Sequence, residues 1–335
     1  YQYEIKNFEK AKEYYLKAIE IDSTYWRAHY NLGNLYVDLE EYQKSIEYFT
    51  KAIKLVPNNP FAYYLRTTPY ESLEMFDKAE ADYIKAIELD PDEENYYLNL
   101  GDLYKNNLND SEKAKKSYLK AIDTYHKRLE VNKNNSEYYI EIANIYSKYI
   151  NDFKSGLKWI QKAGKLENTA WTLESEALIY FNLGDFKNAE KKYLEALELD
   201  PEERNIYYSI ANLYIKQKRY KKAEEYIIKA TSSDINDPDN YYKLAIVHIE
   251  EGNYINAYEQ LSLCIFNMIN NTEGYYISDF DNISNVELED LYVLRSEIAF
   301  KLMGKNNKSC EDLNKAFELD SQNELIKEKI NEICN

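Results

Sequence analysis

The run Leu32-Gly33-Asn34-Leu35-Tyr36, followed by Ser45-Ile46-Glu47-Tyr48-Phe49-Thr50-Lys51-Ala52 and closed by Val56-Pro57, decides how the chain folds. A small residue at Gly33 lets a second helix approach closely, and Tyr36, three places on, fills the space beside it. Ser45, Phe49 and Ala52 are spaced by four and seven, which puts all three on one helical face. Pro57 then ends that helix, because proline cannot continue one. The stretch is a helical hairpin.

Outward from this hairpin the same signs return in phase. The small residue at Ser45 recurs at Ala11, Ala79, Ala114, Gly156, Ala189, Ala223, Ala257 and Ser309, in steps of 34, 34, 35, 42, 33, 34, 34 and 52. Seven residues after each stands another small residue, Ala18, Ala52, Ala86, Ala121, Ala163, Ala196, Ala230, Cys264 and Ala316. Between the two ladders lies a large residue, such as Tyr15, Phe49, Tyr83, Tyr118, Ile160, Tyr193, Ile227, Leu261 or Leu313. The first-helix sign repeats as Leu100-Gly101 with Tyr104, Ile142-Ala143 with Tyr146, and Ile210-Ala211 with Tyr214. One hairpin cannot bury its apolar faces alone, so the units must stack.

Composition agrees with helices and narrows function. Only 8 Gly and 6 Pro punctuate 335 residues, too few for a fold of many short strands. The formal net charge of -17 repels phosphate backbones, so nucleic acid is not an expected partner and basic protein segments are favoured. No long uninterrupted apolar stretch exists, so no membrane insertion is expected from this segment. His29, His126 and His248 are scattered and Cys264, Cys310 and Cys334 have no metal-ligand spacing, so no metal is expected. No nucleophile elbow, phosphate-cradling loop or paired catalytic carboxylates stand out, which predicts no catalytic residues, no cofactor and no enzyme.

The pattern of Leu, Gly or Ala and Tyr in a first helix, then Ala, an aromatic, Ala and a closing Pro in a second, resembles the tetratricopeptide repeat family over nearly the whole chain. The resemblance implies an all-α, right-handed superhelical solenoid of antiparallel helix pairs spanning 1–335. Residues 1–24 are a truncated first repeat, mainly its second helix. Repeats follow at 25–59, 60–93, 94–135, 136–169, 170–203, 204–237, 238–288 and 289–322, with an inserted connection at 265–288 and a capping helix at 323–335. Lys, Asn, Ile and Tyr usage points to a bacterium with an AT-rich genome. The chain starts at Tyr1 within a repeat, so any leader or anchor would lie before it, and a cytoplasmic and an exported location both stay open.

Three departures from the pattern stand out. Pro69 falls inside a first helix, beside Thr67 in place of Gly or Ala, and predicts a distorted unit. Ile122 to Glu130 lengthens a second helix by two turns. An acidic, aromatic segment between Cys264 and Glu289 interrupts the period, and the triplet Asn282-Ile283-Ser284 within it carries little weight as a glycosylation signal.

In the family, first helices line a concave groove that holds peptides or protein segments. Carrying the groove positions over gives Arg27, Tyr30, Asn31 and Asn34, then Tyr64, then Asn95, Asn99 and Asp102, then Asn144 with Glu141. Further on they give Trp171, Glu174 and Phe181, then Asn205, Tyr208 and Asn212, and Tyr242 with Lys243. A row of Asn offers donors and acceptors to an extended backbone, and the aromatics supply apolar contact. The Lys and Asn clamp by which some members hold a chain terminus is absent. Cys310 opens a second helix and Cys334 closes the cap, nearly equidistant from the turn between them, as in the terminal unit of certain bacterial repeat proteins. They either pair as a disulfide or lie side by side as buried thiols. The function implied is a scaffold or adaptor; the alternative is the recognition arm of a larger enzyme or secretion machine.

Overall fold

The computed structural model describes residues 2–230, 237–270, 277–278, 285–304 and 306–334. They fall into two compact units, Tyr1–Leu166 and Glu167–Asn335.

The first unit begins with helix α1 (Gln2–Ile21). Four hairpins follow: α2 (Trp26–Asp38) with α3 (Tyr42–Leu55), α4 (Pro60–Ser72) with α5 (Phe76–Leu89), α6 (Glu94–Asp102) with α7 (Ser111–Val131), and α8 (Ser136–Asn144) with α9 (Phe153–Leu166). The second unit holds α10 (Ala170–Asn182) with α11 (Phe186–Leu199), α12 (Arg204–Lys216) with α13 (Tyr220–Ala230), α14 (Pro238–Glu251) with α15 (Tyr254–Asn270), and α16 (Leu288–Met303) with α17 (Asn307–Leu319). Helix α18 (Glu324–Ile333) packs on α17. Within each unit every second helix also packs on the first helix of the next hairpin, so each layer covers its neighbour.

The ladders explain the packing. Phe49, Tyr118, Ile160, Tyr193, Ile227 and Leu313 are each no more than 1% exposed, and the small residues beside them are equally covered. Burying a side chain of that size contributes roughly 1.5–3 kcal/mol. The close approach is literal at Gly101, where a Cβ would lie 2.3 Å from the Tyr118 ring, and at Gly33, where it would lie 2.8 Å from Phe49.

Each hairpin turn has a residue at positive φ. The series runs Glu40, Glu74, Asn109, Asn151, Gly184, Lys218, Gly252 and Gly304. The hydrogen bond closing the turn follows the same register: Glu41 N–H donates to Tyr36 O at 2.8 Å, and Met75 N–H to Tyr70 O at 2.8 Å. In the hairpins α6–α7 and α8–α9 one extra residue must be absorbed. It enters as a π-helical turn, Leu103–Asn107 and Ile145–Tyr149, and the closing bond becomes Asp110 N–H to Tyr104 O and Asp152 N–H to Tyr146 O, each 2.8 Å.

Helix α4 continues through Pro69, where the sequence predicts a distorted unit. It runs on to Ser72, and Leu73 N–H donates to Pro69 O at 3.3 Å. Proline there removes one donor, close to the helix end, while Pro69 and Tyr70 are buried in the packing. Helix α7 spans 21 residues against 14 in α3 and α5. Its added turns bring Arg128 and Tyr125 to Glu94 at the start of α6: Arg128 Nη1 donates to Glu94 Oε1 at 3.0 Å and Tyr125 Oη to the same oxygen at 3.1 Å.

In the connection expected over 265–288, α15 instead continues as helix to Asn270. Strands β1 (Ile277–Ser278) and β2 (Asn285–Val286) then pair antiparallel, Ile277 opposite Val286, with Ile277 buried in the core formed with Leu261 and Leu291. The rest of the expected excursion, including Asn282-Ile283-Ser284, lies outside the described residues. Cys310 and Cys334 are joined, with Cα atoms 5.5 Å apart, tying α17 to the end of α18.

Candidate functional site

In the first unit α2, α4, α6 and α8 are the first helices of successive hairpins, and α2 touches α4 directly. Tyr30 packs edge-on against Trp26 and Phe49, each 6.0 Å between ring centres, and Arg27 lies over Trp26 at 5.0 Å. Burial pushes the Tyr30 phenol up, partly offset by its hydrogen bond with Asn34. Asn31 and Asn34 remain half-buried beside it.

One hairpin further on, Tyr64 and Asn99 meet across α4 and α6: Asn99 Nδ2 donates to Tyr64 Oη at 2.6 Å. The Tyr64 ring stacks tilted on Tyr96 at 4.9 Å, so it has little freedom to turn. Burial raises the Tyr64 phenol as well, against the Asn99 hydrogen bond. Asp102 accepts from Tyr118 Oη at 2.7 Å, so this expected groove residue also braces α7. Exposed Asn95 donates to Glu93 at 2.6 Å. Asn144 bonds Glu141, whose carboxyl is pushed up by burial and by the neighbouring Glu137 and Glu94.

The expected residues of the second unit divide. Trp171 is 51% exposed on α10. Glu174 accepts from Ser209 Oγ at 3.3 Å, and burial raises its carboxyl. Asn212 is half-buried. Tyr208 and Tyr242, however, are only 3% and 8% exposed and offer no open surface. Tyr208 Oη donates to Asn240 Oδ1 at 2.7 Å and accepts from Arg204 Nη2 at 2.7 Å, while the fully buried Lys243 ammonium sits over its ring at 4.8 Å. Lys243 is 3.3 Å from Asp239, and Arg204 is 2.5 Å from Asp237. Two cations and two carboxylates thus surround Tyr208 in an interior network. The repeat register alone could not show this, because it depends on charged residues from neighbouring hairpins.

Arg66 was not among the expected groove residues. It occupies the place of Leu32, Leu100 and Ile142 in other hairpins and turns inward to Asp82. Among the described residues no cluster of His, Cys, Asp and Glu could hold a metal ion, and no helix is long and apolar enough to cross a membrane.

Models of the tetratricopeptide repeat match residues 26–59, 62–93, 94–125 and 205–236, and a further repeat model of the same kind matches 2–39 and 177–218. The chain belongs to the tetratricopeptide repeat family. Like other members, this repeat protein is in general terms a module for interaction with proteins or peptides, typically without catalysis. It is similar to a solved tetratricopeptide repeat protein from Parabacteroides merdae ATCC 43184, with 18% identity, 82% of this chain and 99% of that one covered, and a TM-score of 0.47. It is also similar to MamA (19% identity, 48% and 94% covered, TM-score 0.40) and to yeast Tom70 (17% identity, 97% and 84% covered, TM-score 0.40). No curated protein sequence matches this repeat protein.

Proposed function

We propose that the first-helix face of the first unit, built from α2, α4 and α6, holds an extended peptide or a helix of a partner protein. The observation that carries this is the Tyr64–Asn99 bond across neighbouring first helices, which sets an aromatic ring and an amide in fixed relation. A preorganised pair loses little side-chain entropy when a partner arrives, and Asn99 retains its carbonyl oxygen as an acceptor for a backbone N–H. Asn31 and Asn34 repeat the offer one hairpin earlier, and Arg27 with Trp26 supplies a flat apolar and cationic edge. The net charge of -17 favours basic segments through the encounter rate more than through the final affinity. The chain acts as a scaffold.

Selection of a displayed random-peptide library on the full chain tests this. Peptides so obtained lose about tenfold or more in affinity with Asn31→Ala/Tyr64→Ala, since each side chain removed costs about 1 kcal/mol. Circular dichroism confirms that the variant remains helical. Selected peptides that bind the folded variant as tightly as the parent place the site elsewhere.

A further inference from the structure

Residues 216–222 read Lys216-Gln217-Lys218-Arg219-Tyr220-Lys221-Lys222, five cations in seven positions of a chain whose net charge is -17. They span the turn from α12 into the first turn of α13, and all five cations are exposed. Arg219 Nη1 lies 3.8 Å from Glu190, but Lys216, Lys218, Lys221 and Lys222 make no ion pair among the described residues. Arg219 and Lys222 rest over the Tyr214 ring at 4.7 and 5.1 Å, which holds them in position. Lys218, Arg219, Lys221 and Lys222, with Tyr220 and Glu251, line an open cleft of about 290 Å³.

Lys222 over Tyr214 repeats the contacts of Lys44 with Tyr36 and Lys113 with Tyr104, but helix electrostatics do not favour the rest of the run. Cations in a first turn oppose the helix dipole, and the matching turns before α7, α11 and α17 place Asp110, Asp185 and Asn306 there as caps. Arg219 stands at that cap position instead, a local conflict of the kind proteins keep at functional sites.

We propose that this cleft docks a short acidic peptide segment of a partner protein, whose carboxylates meet Lys218, Lys221 and Lys222 while its stem lies against Tyr220. A long polyanion is disfavoured, because charges are felt over only about 10 Å at moderate salt and the chain as a whole carries a net charge of -17. The surface lies at a hairpin turn of the second unit and is separate from the first-helix face proposed above.

Labelled hexaglutamate, titrated with the full chain and followed by fluorescence anisotropy, is the probe. It binds with an affinity that falls as salt rises, and hexaglutamine of equal length does not bind. Lys221→Glu/Lys222→Glu binds it at least about tenfold more weakly, while its melting temperature equals or exceeds the parent's because carboxylates suit a helix start. Asn31→Ala binds hexaglutamate like the parent, which separates this surface from the first-helix face. If the paired variant is misfolded, Lys218→Gln, outside the helix, gives the same reading. Equal binding of both peptides, undiminished binding by the folded variants, or tighter binding of a hexathymidine strand overturns the proposal.

Discussion

Arg66 grips Asp82 through two hydrogen bonds, Nε to Oδ2 and Nη2 to Oδ1, both 2.8 Å, with Thr50 Oγ1 accepting from Nη1 at 2.8 Å. The arrangement recurs in the second unit, where Arg295 holds Asp312 at 2.9 and 2.7 Å and reaches Ser262 at 3.2 Å. In both units the Arg stands where most other hairpins carry Leu or Ile, next to Thr67 or Ser296 in place of Gly or Ala. A buried pair of this kind gains Coulomb energy and loses hydration in similar amounts. Asp82→Ala, which strands the guanidinium, therefore lowers stability by roughly 3–5 kcal/mol, whereas Arg66→Leu/Asp82→Ala returns close to the parent or above it. Urea unfolding of the three proteins checks this; equal losses in the single and double variants would refute it.

Glycine to alanine substitutions should change sign with position. At Gly164 in α9 an added Cβ would meet nothing within 4 Å, so Gly164→Ala gains up to about 1 kcal/mol from helix propensity. Gly101→Ala meets the Tyr118 ring and loses about 1–3 kcal/mol through overpacking. Thermal melts of the two variants should move in opposite directions; a gain at Gly101 would mean that the helices are not so closely packed.

The turn series gives a second pair of opposite signs. Glu40 and Glu74 hold φ of 57° and 56°, where an L side chain costs about 1–2 kcal/mol. Glu40→Gly and Glu74→Gly are each expected to stabilise by roughly 0.5–1 kcal/mol after the entropy that glycine adds to the unfolded chain. Gly184→Ala and Gly252→Ala, at φ of 76° and 82°, lose about as much. Calorimetry of the four variants decides.

The Cys310–Cys334 link encloses a separation of 24 residues and is worth about 3 kcal/mol in chain entropy. Under reduction α18, held otherwise mainly by Ile326 and Ile333, should exchange its amide hydrogens much faster, with α12 and α13 unchanged. Equal exchange with and without reductant, together with two free thiols by mass after aerobic purification, would show that the cap does not depend on the bond.

The all-helical repeat was legible because three ladders of residues share one period, and Phe49, Tyr118 and Leu313 occupy their places in the core as that period requires. The π turns went unread, although they leave a trace as one extra residue: Tyr104 to Ala114 and Tyr146 to Gly156 are ten apart, against nine from Tyr36 to Ser45. Pro69 does not end its helix, because the cost of a proline depends on how near the helix end it falls and on what packs around it. The candidate face was less legible. Repeat register names Asn99 and Tyr208 with equal weight, yet one lies half-exposed against Tyr64 and the other is enclosed by Arg204, Asn240 and Lys243. Register fixes the direction of a side chain; the neighbouring hairpin decides whether it is covered. The basic run at 216–222 was present as a charge pattern, but that among the described residues only Arg219 of its cations has an ion-pair partner emerges from the fold around it.

Above all, the first-helix face of the first unit is held to bind a partner. The sharpest check is a photoreactive benzoylphenylalanine in place of Asn31, compared in extracts of the source cells with one in place of the exposed second-helix residue Ile84. A discrete cross-linked protein should form from position 31, be absent from position 84, and be competed away by a peptide selected on the unlabelled chain. Cross-linking from position 84 alone would contradict the proposed face.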